Sequence, residues 1–268
     1  MTRPGRVLAA LLACVLWLPA EAAAQNAPRI AIIIDDLGYD RQAGVRSILL
    51  PGAVGYAVLP DTPYAVWLAE FAHRSGKEVL LHLPMQSLDD VDPEPGLLQL
   101  DTTRRQFGTR FSAQLASVPH VTGINNHRGS LLTRHPGHMT WLMEEISRRQ
   151  GLFFIDSYTT AASVALGIAR ESGIPAARRD VFLDPDREPG TVRREFDRLI
   201  ATALEHGTAL AIGHPYHDTL ALLEKELPGL ARRGIELVSP GELVRLRTSE
   251  AKQSWPPSSY RLQTASKK

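Results

Sequence analysis

The chain of 268 residues contains a single cysteine, Cys14, which lies in the amino-terminal segment. If that segment is removed, the mature protein has no cysteine, which excludes disulfides and thiolate ligands, so a bound metal would need carboxylate or imidazole ligands. No GxGxxG or GxxxxGK[ST] sequence follows the first predicted strand, which leaves dinucleotide and P-loop nucleotide binding without support. The formal net charge is only +1, so we expect no nucleic-acid partner held by phosphate contacts.

Residues 1–24 have the pattern of a bacterial export signal. Arg3 and Arg6 give a basic start, residues 7–18 are apolar, and residues 22–24 are alanines that offer a cleavage site. The apolar run is short for a membrane span. We therefore expect cleavage after residue 24 and a periplasmic or secreted protein with no membrane span, with an uncleaved amino-terminal anchor as the alternative.

The remaining length fits one large domain better than two small ones. We place this domain at residues 25–247. Residues 248–268 are polar and contain two prolines and two terminal lysines, a composition typical of a disordered tail or of one laid across the surface.

The first predicted strand ends in two adjacent carboxylates. Residues 30–34 are all apolar and lead directly into Asp35 and Asp36. An apolar run without alternation is typical of a strand buried on both faces of a parallel sheet. Charge at the end of such a strand favours a metal ligand beside a general base, while an aspartate that caps the next helix is the alternative.

Strand-like and helix-like segments alternate over residues 30–246. Strands joined by helical crossovers form a parallel sheet, and at this length we expect an α/β fold that closes, or nearly closes, into a barrel. The predicted strands are residues 30–34, 54–59, 77–83, 121–124, 152–155, 180–183, 208–212 and 236–238.

Polar side chains follow these strands at their carboxyl ends. In a (β/α) barrel those ends meet at one face, where the reactive groups of such enzymes lie. Their convergence is harder to attribute to chance than any single residue. The side chains expected at this face are Asp35 and Asp36 after the first strand, His82 near the end of the third, Asn125, Asn126, His127 and Arg128 after the fourth, Asp156 after the fifth, Asp184 after the sixth and His214 after the seventh.

These groups suit a divalent metal. Carboxylate and imidazole ligands are typical of catalytic Zn²⁺, or a similar first-row ion, with an open position for water. Asp36, His82 and His127 form the expected ligand set, with Asn125 and Asn126 as polar support around His127.

Simpler explanations exist for three of the side chains at the strand ends. His82 can be a buried histidine bonded to a neighbouring carbonyl. Asp184 fits a turn and helix start around Pro185 better than a ligand. Arg128 can pair with Asp156, bind an anionic substrate group or remain in solvent.

Six segments carry a resemblance to a known family. They are IAIIIDDLGYD, EVLLHLPM, GINNHRGS, GLFFIDSYTT with the following SVA, RDVFLD, and AIGHPYHDTL. Together, over residues 29–246, they resemble the divergent polysaccharide deacetylase family, the envelope-associated branch related to NodB-type carbohydrate esterases. The resemblance implies a distorted (β/α) barrel of seven or eight mainly parallel strands that acts on acetylated sugars.

The resemblance also implies roles for individual residues. Asp35 and Asp36 match the general-base and metal aspartates of the NodB-type enzymes. His82 falls where their histidine metal motif begins. Asp156 lies near their fourth-motif acid, and His214 lies where their catalytic histidine does.

The chain departs from the NodB-type pattern at two places. The second motif of those enzymes has two histidines four residues apart, and here Gln86 occupies the second position. The segment NNHRGS replaces their third-motif Arg-x-Pro segment. His127 would therefore have to stand in as a ligand.

The predicted function is metal-dependent deacetylation of an N- or O-acetylated carbohydrate. Asp35 would take a proton from the attacking water, and His214, oriented by Asp156, would protonate the leaving group. The expected substrate-binding residues are Asn125, Asn126 and Arg128.

Two other functions remain open from the sequence. The missing second histidine favours a catalytically weak or inactive envelope protein that uses the same barrel for glycan binding or regulation. The intact Asp35–Asp36 pair and His214 count against that alternative, because binding alone needs neither. Metal-dependent hydrolysis of a non-sugar amide or ester is the third possibility.

Overall fold

The computed structural model describes residues 27–89 and 96–254, with side chains through residue 250. The expected signal segment and residues 255–268 of the expected tail lie outside the described residues. Within the described ranges, no helix combines the length and apolarity needed to cross a membrane.

A nine-stranded sheet with only parallel pairings forms the centre of the domain. Its strands are β1 Arg29–Leu37, β2 Gly55–Val58, β3 Glu78–Met85, β4 Val121–Arg128, β5 Phe153–Asp156, β6 Ala176–Arg178, β7 Val181–Phe182, β8 Thr208–Gly213 and β9 Glu236–Leu237. The hydrogen-bonded order is β6-β5-β4-β3-β2-β1-β8-β7, and β9 pairs with the start of β1.

Eight helices are described, and most of them connect successive strands, as parallel pairing requires. They are α1 Arg41–Ile48, α2 Ala65–Arg74, α3 Arg104–Ser117, α4 Pro136–Ser147, α5 Ala165–Glu171, α6 Thr191–His206, α7 His217–Glu226 and α8 Pro240–Ser254.

Two hydrophobic clusters lie on opposite faces of the sheet. The larger one lies between the strands and the surrounding helices and contains, for example, Ile32, Phe107 and Phe196. The smaller one combines residues from the opposite faces of β1, β2, β3, β5, β6 and β8 with Leu243 and Val244 of α8. The final helix therefore packs against the interior of the sheet, where it fills space that the strands enclose.

The sheet curls into a barrel with one gap in its hydrogen bonding. The order ends at β6 on one side and β7 on the other, yet only Arg179 and Asp180 separate these strands in the chain. Since consecutive Cα atoms lie about 3.8 Å apart, the two edges must be close. The prediction of an α/β fold with a distorted barrel of parallel strands is confirmed.

Three predicted elements have different bounds in the structure. The predicted strand at residues 180–183 is the two-residue β7, and β6, on the other side of Arg179 and Asp180, was not predicted. The predicted fourth strand ended at residue 124, but β4 continues to Arg128 because it stays paired with β3 as far as Met85. The last helix continues past Arg247 to Ser254, into the predicted tail.

Candidate metal and catalytic site

Strand alternation decides which side chains enter the barrel. Successive side chains of a strand point to opposite faces. On β3, Leu81 and Leu83 belong to the outer cluster, so His82 points inward. On β4, Ile124 is likewise outward, which sends Asn125 inward, beside His82 in the parallel register.

His127 follows Asn125 by two residues on β4 and therefore lies on the same inward face. It is paired in register with Pro84, two positions beyond His82 on β3. This arrangement brings His127 Nδ1 to 3.2 Å from His82 Nε2. Gln86, which occupies the position of the missing second histidine, instead accepts a hydrogen bond from the Leu100 backbone through Oε1 at 2.9 Å.

A bulge in β1 directs both adjacent carboxylates to the same side. Ile34 is an outer residue, so regular alternation would send Asp35 inward and Asp36 outward. The pairing with β2 instead shifts by one residue between Ile34 and Leu37, and Asp36 has a φ of 59°. The extra residue of a bulge redirects a side chain, and Leu37 returns to the outer cluster.

Left-handed backbone conformations recur around this face. Arg128 at the end of β4 and Tyr158 just after β5 each have a φ of 52°, in addition to Asp36. Such conformations cost on the order of 1–3 kcal/mol each in residues other than glycine and tend to be retained at functional sites. The carboxyl ends of three strands are thus shaped at the expense of local stability.

Three potential ligand atoms form a nearly equilateral triangle. Asp36 Oδ1 lies 3.2 Å from His82 Nε2 and 3.1 Å from His127 Nδ1, and the two nitrogens are 3.2 Å apart. Ligand atoms about 2.0 Å from a tetrahedral Zn²⁺ would lie about 3.3 Å from one another. Across residues 27–89 and 96–254, this is the one group of three or more His, Cys, Asp or Glu side chains whose ligand atoms converge.

The chemistry of these atoms also fits a cation. Asp36 Oδ1 is buried and has no hydrogen-bond partner of acceptable geometry among the described residues. A buried carboxylate oxygen without such a partner is costly unless a positive charge compensates it. Two imidazole nitrogens and one carboxylate oxygen are a typical donor set for a catalytic divalent ion.

Asn125 fixes the tautomer of His82. Its Nδ2 donates to Asp35 Oδ1 at 2.8 Å, and its Oδ1 lies 3.0 Å from His82 Nδ1. Since the Asp35 carboxylate accepts, the amide oxygen must face His82 and accept a hydrogen bond from Nδ1–H. In the neutral ring the lone pair then lies on Nε2, the corner of the triangle.

His214 is held by Asp184 and not by the predicted Asp156. Its Nδ1 lies 2.9 Å from Asp184 Oδ1, and its backbone N–H donates to Asp184 Oδ2 at 2.8 Å. Thr219 donates to the same Oδ2 at 2.7 Å. The opposite ring nitrogen, Nε2, lies 3.6 Å from Asp36 Oδ2, so the ring connects Asp184 to the metal triangle.

The predicted partner, Asp156, points away from the interior. It follows Ile155, an interior residue, so alternation sends its side chain outward. There its two carboxylate oxygens accept from the Tyr158 backbone at 2.9 Å and from Ser163 Oγ at 2.8 Å. The sequence FFID puts Ile155 and Asp156 on opposite faces, but only the structure shows that Ile155 is the inward one.

Charge coupling changes the pKa values of the central groups. Burial raises the pKa of Asp35 above its usual range, although His82 and His214 oppose this. Burial also acts on Asp36, but His127 and His82 hold the pKa of that carboxyl well below its usual range. Burial opposes a charged His82, yet Asp35 and Asp36 raise its pKa to about 9. The cluster therefore favours a positive charge among its ligand atoms.

A small cavity of about 190 Å³ opens beside these groups. At roughly 30 Å³ per water molecule, it has room for an acetyl group and part of a sugar. Its lining residues are Asp35, His82, Asn126, His127, Arg128, Ser157, Thr159, Arg179, Phe182, Ile212 and His214.

Two of the predicted substrate-binding residues line this cavity. Asn126 is buried and links strand ends, because its Oδ1 accepts from the Ser157 backbone at 2.9 Å and its Nδ2 donates to Arg128 O at 2.7 Å. Arg128 is exposed at the rim. Arg179 also lines the cavity, and sequence reasoning missed it because it lay next to a predicted strand and not at the end of one.

The chain is similar to a known protein family and to proteins of two bacteria. A family model described as divergent polysaccharide deacetylase matches residues 32–244. An uncharacterized protein of Haemophilus influenzae is 38% identical over 217 residues, which cover 81% of this chain and 77% of that protein. The uncharacterized Escherichia coli protein YibQ is 36% identical over 199 residues, which cover 74% of this chain but only 62% of that protein.

A solved structure shares the same fold. The crystal structure of the uncharacterized protein ATU2773 from Agrobacterium tumefaciens C58 matches with a TM-score of 0.78 and 25% sequence identity, over 81% of this chain and 89% of that chain. The family match extends from the first strand to the final helix and includes every residue of the metal triangle. The chain therefore belongs to the divergent polysaccharide deacetylase family.

Proposed function

We propose that this chain is an exported, metal-dependent deacetylase of N- or O-acetylated carbohydrate. The observation that carries the proposal is the triangle of Asp36, His82 and His127, and the short distances from it to Asp35 and His214 support roles for them in proton transfer. Family membership supports the substrate class, and the basic and apolar leader supports export to the cell envelope.

Asp36, His82 and His127 would hold the metal, and Zn²⁺ suits their donor set. When bound, the ion would supply Lewis acidity toward the acetyl carbonyl and lower the pKa of water. Asn125 contributes by keeping the His82 lone pair on Nε2.

Asp35 is suited to act as the general base. Asn125 occupies its Oδ1, while its Oδ2 lies 3.5 Å from His82 Nε2 at the edge of the cavity. Burial raises its pKa, and a carboxylate with a raised pKa is the stronger base toward water. Asp35 would take the proton that the attacking water loses.

His214 is suited to act as the general acid. Burial opposes its charged form, but the hydrogen bond to Asp184 and the nearby carboxylates raise its pKa. Its Nδ1 is bonded to Asp184, so Nε2 carries the proton that would pass to the leaving amine or alkoxide. A positioned acid or base of this kind typically contributes roughly 10²–10⁴-fold to the rate.

The test combines metal content with acetate release. Purified protein would be loaded with zinc and assayed by elemental analysis, then incubated with acetylated chitooligosaccharides and an acetylated xylan. We expect about one equivalent of zinc per chain, as one three-ligand site predicts, and release of acetate. Asp36→Ala and His127→Ala should lose both, whereas His206→Ala, at an exposed helix end, should retain both.

Two outcomes would contradict the proposal. A folded protein that takes up no zinc would remove the metal-dependent mechanism. A zinc-loaded protein that binds the oligosaccharides without releasing acetate would instead favour the glycan-binding alternative. Acetate release from a non-sugar ester or amide alone would redirect the substrate class.

A further inference from the structure

Arg179 occupies the gap between β6 and β7. Its backbone N–H donates to Asp156 O at 3.0 Å, which attaches it to the end of β5. Ala177 is an interior residue, so the position of Arg179, two residues later, also faces inward. The guanidinium consequently lines the cavity that contains Asp35 and His214.

The guanidinium is held in one orientation by three contacts. Nε donates to Ser157 O at 2.6 Å and Nη2 donates to Tyr158 O at 3.1 Å. The centre of the group also lies 4.7 Å from the centroid of the Phe182 ring. A cation fixed in this way loses little conformational entropy when it binds a ligand.

The positive charge of Arg179 is incompletely compensated. Among the described residues, no carboxylate oxygen lies within ion-pairing distance of it, and two backbone carbonyls accept its hydrogen bonds. An arginine has five N–H donors, so three remain beyond those two bonds. Burial lowers its pKa despite the charges of Asp35 and Asp156, which indicates that its surroundings do not fully stabilise the charge.

We infer that Arg179 is a specificity-determining residue that selects an acetylated sugar bearing a carboxylate group. The inference rests on the proposed function and narrows its substrate. Planar guanidinium groups match carboxylates through paired hydrogen bonds. Because Arg179 shares the cavity with the proposed general base and general acid, it can hold an acidic substituent on the same sugar that presents its acetyl group to Asp35.

A simpler role is that Arg179 only fastens the chain after β5 through Ser157 O and Tyr158 O. The two roles differ in what they predict for neutral sugars. A fastening residue would affect acidic and neutral sugars equally, since both need the same cavity wall. A carboxylate-binding residue would affect the acidic sugar much more than the neutral one, even if it also fastens the chain.

Calorimetric titration of the zinc-loaded protein with two matched sugars tests the inference. N-acetylglucosamine and N-acetylmuramic acid differ by one lactyl carboxylate. We expect the acidic sugar to bind about tenfold to a hundredfold more tightly, as expected for hydrogen bonds to a charged group. Arg179→Gln should remove this preference by weakening the acidic sugar far more than the neutral one, and Arg179→Lys should retain part of it.

The neighbouring arginine provides a matched control. Arg178 is exposed and lies over the Tyr158 ring, outside the cavity lining, so Arg178→Gln should keep the full preference. Equal binding of both sugars by the unaltered protein, or equal weakening of both in Arg179→Gln, would overturn the inference. A preference without any acetate release would uphold it while the proposed deacetylase activity fails.

Discussion

The two histidine–carboxylate groups of the cavity differ in how their polar atoms are satisfied. In the pair of His214 and Asp184, ring nitrogen, backbone N–H and Thr219 hydroxyl all find carboxylate oxygens at 2.7–2.9 Å. In the triangle of Asp36, His82 and His127, ligand atoms approach one another at 3.1–3.2 Å, and no described residue donates a well-formed hydrogen bond to Asp36 Oδ1.

The difference separates two kinds of chemistry that use the same residue types. A complete hydrogen-bond pair orients an imidazole and stabilises its charged form, which suits proton transfer. Converging lone pairs repel one another unless a cation lies among them, which suits a metal. Metal binding should therefore depend on the triangle and not on the pair.

The largest effect is expected at the triangle itself. His127→Ala should lower zinc affinity by more than about 100-fold, the upper range for losing only a supporting partner of a ligand, and activity should disappear with the metal. Competition with a zinc-binding dye would measure the affinity. Asp184→Asn is the matched variant and should keep its zinc. Equal loss of zinc in both variants would contradict the distinction between the two groups.

A substitution at Asp35 should lower turnover without affecting metal binding. Asp35→Asn keeps the size of the side chain but removes the base, so kcat should fall by roughly 10²–10⁴-fold with zinc still bound. Acetate release and elemental analysis on the same sample would check this. Unchanged kcat would assign the base to another residue.

The pH dependence of kcat in Asp184→Asn should show whether Asp184 controls the protonation of His214. The Asp184 carboxylate raises the pKa of His214, and His214 must be protonated to act as an acid. Activity should thus decline as the pH rises through that pKa. Without the carboxylate the pKa falls, so the alkaline limb of kcat should move to lower pH, together with a lower maximum. An unmoved limb would exclude His214 as the group that titrates there.

The smallest catalytic effect is expected at Asp156. The variant Asp156→Asn tests its predicted catalytic role directly. Asp156→Asn should weaken the hydrogen bonds to Ser163 and Tyr158, lowering the free energy of unfolding by about 1–3 kcal/mol. Zinc content and kcat should change little because the side chain points outward. Urea denaturation and acetate release would measure the two effects. A loss of kcat without loss of stability would restore the catalytic role.

Much of this site could be predicted because strand patterns are local. The sequence places Asp35 and His214 just after apolar strands and His82 near the end of one. Parallel strands bring their carboxyl ends together, so these side chains could be predicted to meet. Alternation puts Ile155 and Asp156 on opposite faces, but FFID does not show which face is inward, so Asp156 could not be placed from the sequence.

Other features depend on which strands become neighbours. His214 follows β8, and β7 is the neighbour of β8 in the sheet whereas β5 is not. Asp184, just past β7, is therefore within reach of His214, and Asp156 is not. The sequence analysis chose Asp156 as the partner of His214 and not Asp184, because the order of residues along the chain does not reveal which strands are neighbours in the sheet.

Local sequence patterns are enough to predict the parallel α/β fold and the polar side chains at the strand ends, since these follow from apolar runs and side-chain chemistry. Three features became visible only in the folded chain: the bulge that turns Asp36 inward, the pairing of His214 with Asp184, and the entry of Arg179 through the gap between β6 and β7. These features arise from strand register and barrel closure, which depend on contacts between residues far apart in the chain.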